Sequence, residues 1–163
     1  MKNHTLILAL FAGALLLAGC GKKDDAASSS APAAASAVAT LELTANDSMK
    51  FSVTHFEVKA GQDMKVILTN IGSMPKQAMG HNFVLLKKGA DVAAFSQAAV
   101  GAAATDHIPA ALQDQIIAHT KLLGPKQTDE ISFKAPSEPG EYPFLCSFPA
   151  HFQAGMKGVI VVK

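Results

Sequence analysis

Past residue 40 the chain alternates apolar and polar side chains in short bursts, each cut off by Gly, Pro, Asn or Asp. "KFSVTHFEVKA" and "MKVILTN" carry β-branched and aromatic residues near period two, with "AGQD" as the turn between them. "NFVLLKK", "TDEISFKA", "GEYPFLCS" and "KGVIVVK" follow in the same style, separated by Gly and Pro. A period of two places alternate side chains on opposite faces of an extended strand, so these segments predict strands rather than helices. Many short strands with such punctuation predict an antiparallel sandwich.

One segment breaks the pattern. In "ADVAAFSQAAVGAAATDHIPAALQDQIIAH" the Ala-rich stretch loses period two, Asp91 is a suitable helix N-cap, and Val92, Phe95 and Ala99 then share one face. The spacing predicts a helical insertion that packs outside the sandwich.

The N-terminus has a different character. "MKNHTLILALFAGALLLAGC" sets Lys2 before an apolar run over residues 6–18 and then small residues closing on Cys20. The run is shorter than the roughly 20 residues that span a bilayer and fits an export leader over residues 1–19. Its ending, "LAGC", resembles the bacterial lipobox, which implies acylation of Cys20 and a membrane anchor. Residues 20–39, rich in Ala and Ser with hardly any large apolar side chain, cannot bury enough surface to order themselves and read as a tether. Gly21 and Lys22, rather than Asp, follow the lipidated Cys, which favours the outer membrane of a bacterial envelope, with the domain facing the periplasm or the exterior. Residues 40–163 form the one domain.

Charge narrows the partners. Every one of the 14 basic residues is Lys, and loss of Lys2 with the leader leaves thirteen lysines against thirteen acids. A neutral chain without Arg clusters or aromatic ladders does not read as a nucleic-acid binder. The domain is expected to be monomeric.

Cysteine changes the picture most. With Cys20 assigned to lipid, Cys146 is the sole thiol of the mature chain, and in an oxidising compartment a lone thiol is buried, reactive or metal-bound. The stretch "LCSFPAHFQAGMKG" puts four residues between Cys146 and His151 and four between His151 and Met156, all in one loop between two strands. Pro149 restricts that loop, and Gly155 permits an unusual conformation ahead of Met156. Upstream, "KQAMGHNFVLL" offers His81, with Gly80 before it, where the missing side chain would let a backbone carbonyl come close. One thiolate, two imidazoles and a thioether make up the donor set of a blue-copper electron-transfer centre, with Cys and two His in a plane and Met as a weak axial donor. A formal charge of +1 when oxidised and zero when reduced suits such a set to a nearly closed apolar pocket.

On these residues the domain resembles the cupredoxins, and within them azurin and auracyanin: "MGHNFVL", "IIAHTKLLG" and "CSFPAH" followed by "MKG" look like azurin segments. The resemblance implies an all-β, Greek-key β-sandwich of about eight strands with one helical insertion. It also implies a single copper held equatorially by His81, Cys146 and His151, with Met156 as a long axial ligand and the Gly80 carbonyl opposite. The four residues between His151 and Met156 follow auracyanin, whereas azurins have three. The strands "LELTAND" and "EVKAGQD" lack the Cys pair of azurins, and Gly72 stands where some azurins carry a pH-sensitive His.

Asn82, beside a ligand, can join the two ligand loops through its side chain, and its N–H is placed to reach the Cys146 sulfur; the resemblance gives Phe148 a second such N–H. It also makes the edge of His151, surrounded by Met79, Pro149, Ala150 and Phe152, the contact point for redox partners such as cytochromes or a reductase. His55, His107 and His119 are isolated and read as surface or packed residues. Met49, Met64 and Met74 read as gap fillers. The expected function is a lipid-anchored single-electron carrier, not an enzyme. Two alternatives stay open: a copper-binding protein for delivery or storage, and one domain of a copper enzyme, for which no second ligand set is evident.

Overall fold

The computed structural model describes residues 37–163; the leader, Cys20 and the tether up to residue 36 lie outside the described residues. Two sheets face each other. Strands β1 (Ala39–Asn46), β2 (Lys50–Phe51), β4 (Asp63–Asn70) and β7 (Thr128–Lys134) form the first, in the order β2-β1-β4-β7. Strands β3 (His55–Val58), β5 (Val84–Leu86), β6 (Ile116–His119), β8 (Gly140–Leu145) and β9 (Lys157–Val162) form the second, ordered β3-β9-β8-β5-β6.

The alternation seen in the sequence is the burial pattern. Leu41 and Leu43 in β1, Met64, Val66 and Leu68 in β4, Phe144 in β8 and Ile160 in β9 are each at most 2 % exposed and meet between the sheets. Burying one such side chain contributes about 1.5–3 kcal/mol, so this layer dominates the stability of the domain.

Three expectations need correction. The sandwich is not wholly antiparallel: β1 runs parallel to β4, and β3 parallel to β9. "KFSVTHFEVKA" is not one strand. The chain leaves the first sheet after Phe51 and enters the second at His55, with the Ser52 amide donating to the Thr44 carbonyl at 3.0 Å and the Thr44 amide to Ser52 Oγ at 2.9 Å. The insertion is helical only in part. Helix α2 (Val92–Val100) is capped by Asp91, which accepts from the Ala94 amide, and two 3-10 turns follow at Ala103–Thr105 and Ala110–Gln115. The last four residues of the segment form β6, paired with β5.

Helix α2 does pack outside the sandwich. Phe95 and Ile108 cover Val84, Leu86 and Leu145, whose side chains point to the outer face of the second sheet. Val84 and Leu145 are cross-strand partners, so this satellite core clamps β5 to β8. The residues that precede β5 and follow β8 are the candidate ligands.

Candidate metal centre

All the ligand-bearing segments hang from one end of the sandwich. Cys146 lies one residue past β8, Met156 one residue before β9, and the Cys146 amide donates to the Met156 carbonyl at 3.1 Å, which closes the loop at its base. Within it the His151 amide donates to the Phe148 carbonyl at 3.1 Å and the Met156 amide to the His151 carbonyl at 2.9 Å. Ala150 and Gly155 take left-handed conformations, φ 70° and 92°. For Gly155 that conformation carries no side-chain penalty, whereas Ala150 bears strain.

His81 is held differently. It forms a single antiparallel bridge with Leu123, its amide donating to the Leu123 carbonyl at 3.1 Å and accepting through its own carbonyl from the Leu123 amide at 2.8 Å. Gly80 precedes it because a Cβ there would sit 2.8 Å from the Lys76 carbonyl oxygen at the start of α1 (Lys76–Met79) and 2.9 Å from Leu122 Cγ. The chain can therefore approach closely, and the Gly80 oxygen lies 3.9 Å from Cys146 Sγ.

The three groups meet in the interior. One ligand atom from each of His81, Cys146 and His151 lies within 4.8 Å of the others, with Cys146 Sγ 3.3 Å from His151 Nδ1. His81 and Cys146 are fully buried and His151 is 2 % exposed. Met156 is fully buried beside them in the sequence of the loop.

Neither His81 ring nitrogen has a hydrogen-bond partner, although both are buried. An unpaired buried polar atom costs about 1–3 kcal/mol, and a neutral imidazole has one lone pair and one N–H, so the lone pair calls for an electrophile and the N–H for an acceptor, on the side of the Asn46 carbonyl. Burial pushes the Cys146 thiol up to about 12, against the pull of the Asn82 and Phe148 backbone N–H groups. Burial, with His81 and His107 nearby, holds His151 down to about 4. It also lowers His81, against weaker opposing effects of the Asp47 carboxylate and the Asn46 carbonyl. The imidazoles are thus neutral, with lone pairs available, and a thiolate here needs a cation beside it. A soft thiolate, two imidazoles and a buried thioether fit copper; a Cys and His set also binds zinc.

The surrounding residues brace this set. Asn82 Nδ2 donates to Ser147 Oγ at 2.8 Å while the Ser147 amide donates to Asn82 Oδ1 at 2.8 Å, tying the His81 segment to the Cys146 loop. The Phe83 amide donates to Thr120 Oγ1 at 2.9 Å. Ser147 stands beside Cys146 in the sequence, and its role as the second half of this clasp is not visible there. His107 is another addition. Its Nδ1 is 3.0 Å from the Ala99 oxygen, its ring lies edge-on to Phe148 at 5.0 Å, and Phe148 in turn stacks on His151 at 4.7 Å. It packs against Phe148 on the outer side of the site, near enough to His151 to help keep that ring neutral. His55 and His119 are exposed, Met64 is in the core, Met49 packs against the core, and Met74 is 40 % exposed.

Around His151, Ala150 is exposed while Met79, Pro149 and Phe152 are half-buried, and the Lys157 ammonium sits 4.7 Å from the Phe152 ring centroid.

Comparison with known proteins agrees with this geometry. The family model described as copper binding proteins of the plastocyanin/azurin family matches residues 37–163. The azurin of Alcaligenes faecalis is 34% identical over 123 residues, covering 74% of this chain and 94% of that protein. Outer membrane protein H.8 of Neisseria meningitidis serogroup B is 37% identical over 120 residues, 72% of this chain and 63% of that protein. Among solved structures, the dithionite-reduced auracyanin of the photosynthetic bacterium Roseiflexus castenholzii superposes with a TM-score of 0.68 at 39% identity, covering 76% of this chain and 96% of that one. A matching family model over the whole described domain, relatives above 30% identity and a buried His, Cys and His cluster on a two-sheet fold together establish that the chain belongs to the copper-binding plastocyanin/azurin family.

Proposed function

We propose that the protein is a membrane-anchored carrier of single electrons, built around one type 1 copper. The observation that carries this reading is the buried convergence of His81, Cys146 and His151 within 4.8 Å, with the lone pair of the neutral His81 ring otherwise unmatched. When bound, copper supplies one electron at a time by cycling between Cu(I) and Cu(II). His81, Cys146 and His151 would hold it, with Met156 and the Gly80 carbonyl as weaker donors.

The rest is the work of the chain. Asn82 and Ser147 fix the spacing of the two ligand segments, and rigid ligands keep reorganisation small when charge changes. The Asn82 and Phe148 N–H groups favour the thiolate over the thiol. Burial of every ligand side chain suits a centre that exchanges electrons and does not bind a substrate. Electrons can still tunnel a short way, and His151, the one ligand with any exposure, is the natural exit. Partners such as cytochromes or a reductase would meet it at Ala150, flanked by Met79, Pro149 and Phe152.

The lipobox-like "LAGC" and the likeness to an outer membrane protein of Neisseria support a lipid on Cys20, with the domain held at the envelope by residues 20–39. Labelling with a fatty-acid analogue, lost in Cys20→Ser, would test the anchor.

Visible absorption and EPR spectra after addition of Cu(II) test the centre. An intense thiolate-to-copper band with narrow hyperfine splitting is expected, and an ordinary tetragonal Cu(II) signal would sink the proposal.

A further inference from the structure

The end of the sandwich that carries the metal centre has an uneven distribution of charge. There the C-termini of β1, β4, β6 and β8 meet the N-termini of β5, β7 and β9. Two of its three carboxylates face lysines, and the third is held by neutral donors, so its five lysines outnumber its carboxylates. Asp47 accepts from the Ser73 amide and hydroxyl and from the Met74 amide, Asp106 lies 3.1 Å from Lys76 Nζ, and Asp129 lies 3.7 Å from Lys121 Nζ.

Three lysines at the same end have no carboxylate partner among the described residues. Lys50 donates to the Ala154 carbonyl, Lys126 donates to the Ile71 carbonyl at 2.8 Å, and Lys157 lies over Phe152. Each ammonium is tethered to the backbone or a ring of a site-end loop, so its position is set before any partner arrives. The same end carries apolar side chains at the surface: Ile71 is 48 % and Met74 40 % exposed, Ala150 is exposed, and Met79, Pro149 and Phe152 are half-buried.

We infer that this surface docks a redox protein whose own apolar electron-exchange edge is ringed by carboxylates. The inference rests on the electron-carrier reading and names the chemistry of the partner. An apolar centre excludes water from the short path to His151, and a cationic rim steers an acidic partner into register without demanding a tight complex. A second copy of this chain would bring the same uncompensated lysines face to face, which opposes self-association. An anionic membrane would attract the lysines too, but it would cover the face nearest His151, which the carrier reading assigns to electron exchange.

The decisive experiment compares two charge-reversed forms of the full-length, copper-loaded protein. One is Lys126→Glu with Lys157→Glu. The other is Lys59→Glu with Lys87→Glu, whose lysines also lack carboxylate partners but lie in the turns at the opposite end. Both change net charge equally. Stopped-flow electron exchange with an acidic soluble c-type cytochrome should fall about tenfold or more in the first form at low salt and change little in the second. The wild-type rate should drop as salt rises, and a basic cytochrome should show neither effect. Matching visible spectra, and a smaller slowing in Lys126→Gln with Lys157→Gln, would exclude misfolding as the cause.

Equal rates for the two charge-reversed forms would overturn the inference. So would an unchanged cytochrome rate accompanied by loss of binding to phosphatidylglycerol vesicles, which would assign the surface to a membrane. Concentration-dependent sedimentation abolished by the first pair of substitutions would assign it to a second copy and overturn the inference as well. A wild-type protein without the intense visible band would instead overturn the carrier reading, and the docking inference with it.

Discussion

Asn82 and Ser147, 65 positions apart in the chain, hold each other reciprocally: the Asn82 amide nitrogen donates to the Ser147 hydroxyl and the Ser147 backbone N–H donates to the Asn82 carbonyl oxygen, both at 2.8 Å. Each residue is flanked by a ligand, so this clasp sets the distance between His81 and Cys146.

Replacing Asn82 with Leu leaves the Ser147 N–H and hydroxyl buried without partners. The loss should be about 1–3 kcal/mol for each unmatched group. A lower melting temperature together with a shifted reduction potential is expected, because without the side-chain clasp the backbone N–H of residue 82 is no longer held in place against the Cys146 sulfur. An unchanged voltammogram and melting curve would remove Asn82 from any part in the site.

Acid should destabilise the copper-free protein. His151 ordinarily titrates at 6.5 and is held to about 4 in the fold, and His81 is lowered as well. Between those values the unfolded chain binds protons that the folded chain refuses, so stability is present above pH 6.5 and is lost as pH falls to 4. For His151 this loss is on the order of 3 kcal/mol. Calorimetry of chelator-treated protein at pH 7, 5.5 and 4 checks it, and a melting temperature that does not fall would count against neutral buried imidazoles.

Metal uptake should release a proton. With the thiol pushed up to about 12, Cys146 is protonated at neutral pH until a cation takes the sulfur. Calorimetric titration with copper in buffers of different ionisation enthalpy should give close to one proton released per copper at pH 7, and none from this source in Cys146→Ser. Equal proton release in the two proteins would show that the thiol is not the group displaced.

Ala150 offers a clean probe of docking. Its φ of 70° is a conformation that Asp tolerates, so Ala150→Asp adds charge beside His151 with little backbone cost. Electron exchange with protein partners should slow several-fold while the visible spectrum stays as it was. Unaltered rates would move the contact point elsewhere.

Gly158 carries the packing of β9 on β8. A Cβ there would lie 2.3 Å from Phe144 Cζ and 2.6 Å from the Thr54 carbonyl, and the backbone oxygen cannot move aside. Gly158→Ala should cost about 1–3 kcal/mol by overpacking. Chemical denaturation would show the midpoint falling, and a midpoint equal to wild type would mean that the strands can slide apart.

The ligand loop was legible because it is contiguous: Cys146, His151 and Met156 lie in one turn bounded by two readable strands. His81 stood out through its Gly and Asn neighbours. Strand direction was not legible, since a period of two says which face a side chain takes and nothing about the neighbour it pairs with; hence the parallel pairings of β1 with β4 and β3 with β9. Strand β6 was hidden for a related reason. Ile116 and Ile117 continue an Ala-rich helical composition, and only pairing with β5 makes them extended. The closeness of His107 to Phe148, and the gathering of unpaired lysines at one end, depend on distant segments meeting, which no local pattern records.

The unmatched lone pair of His81 bears on the protein's life in the cell. A folded chain that still lacks its metal carries a buried penalty, and any ligand that binds only the folded form removes it by mass action. The interval before metal loading is therefore when the chain opens most often and is most exposed to proteases. Copper supply then governs abundance as well as activity: in metal-poor growth the protein should disappear by turnover faster than its message does.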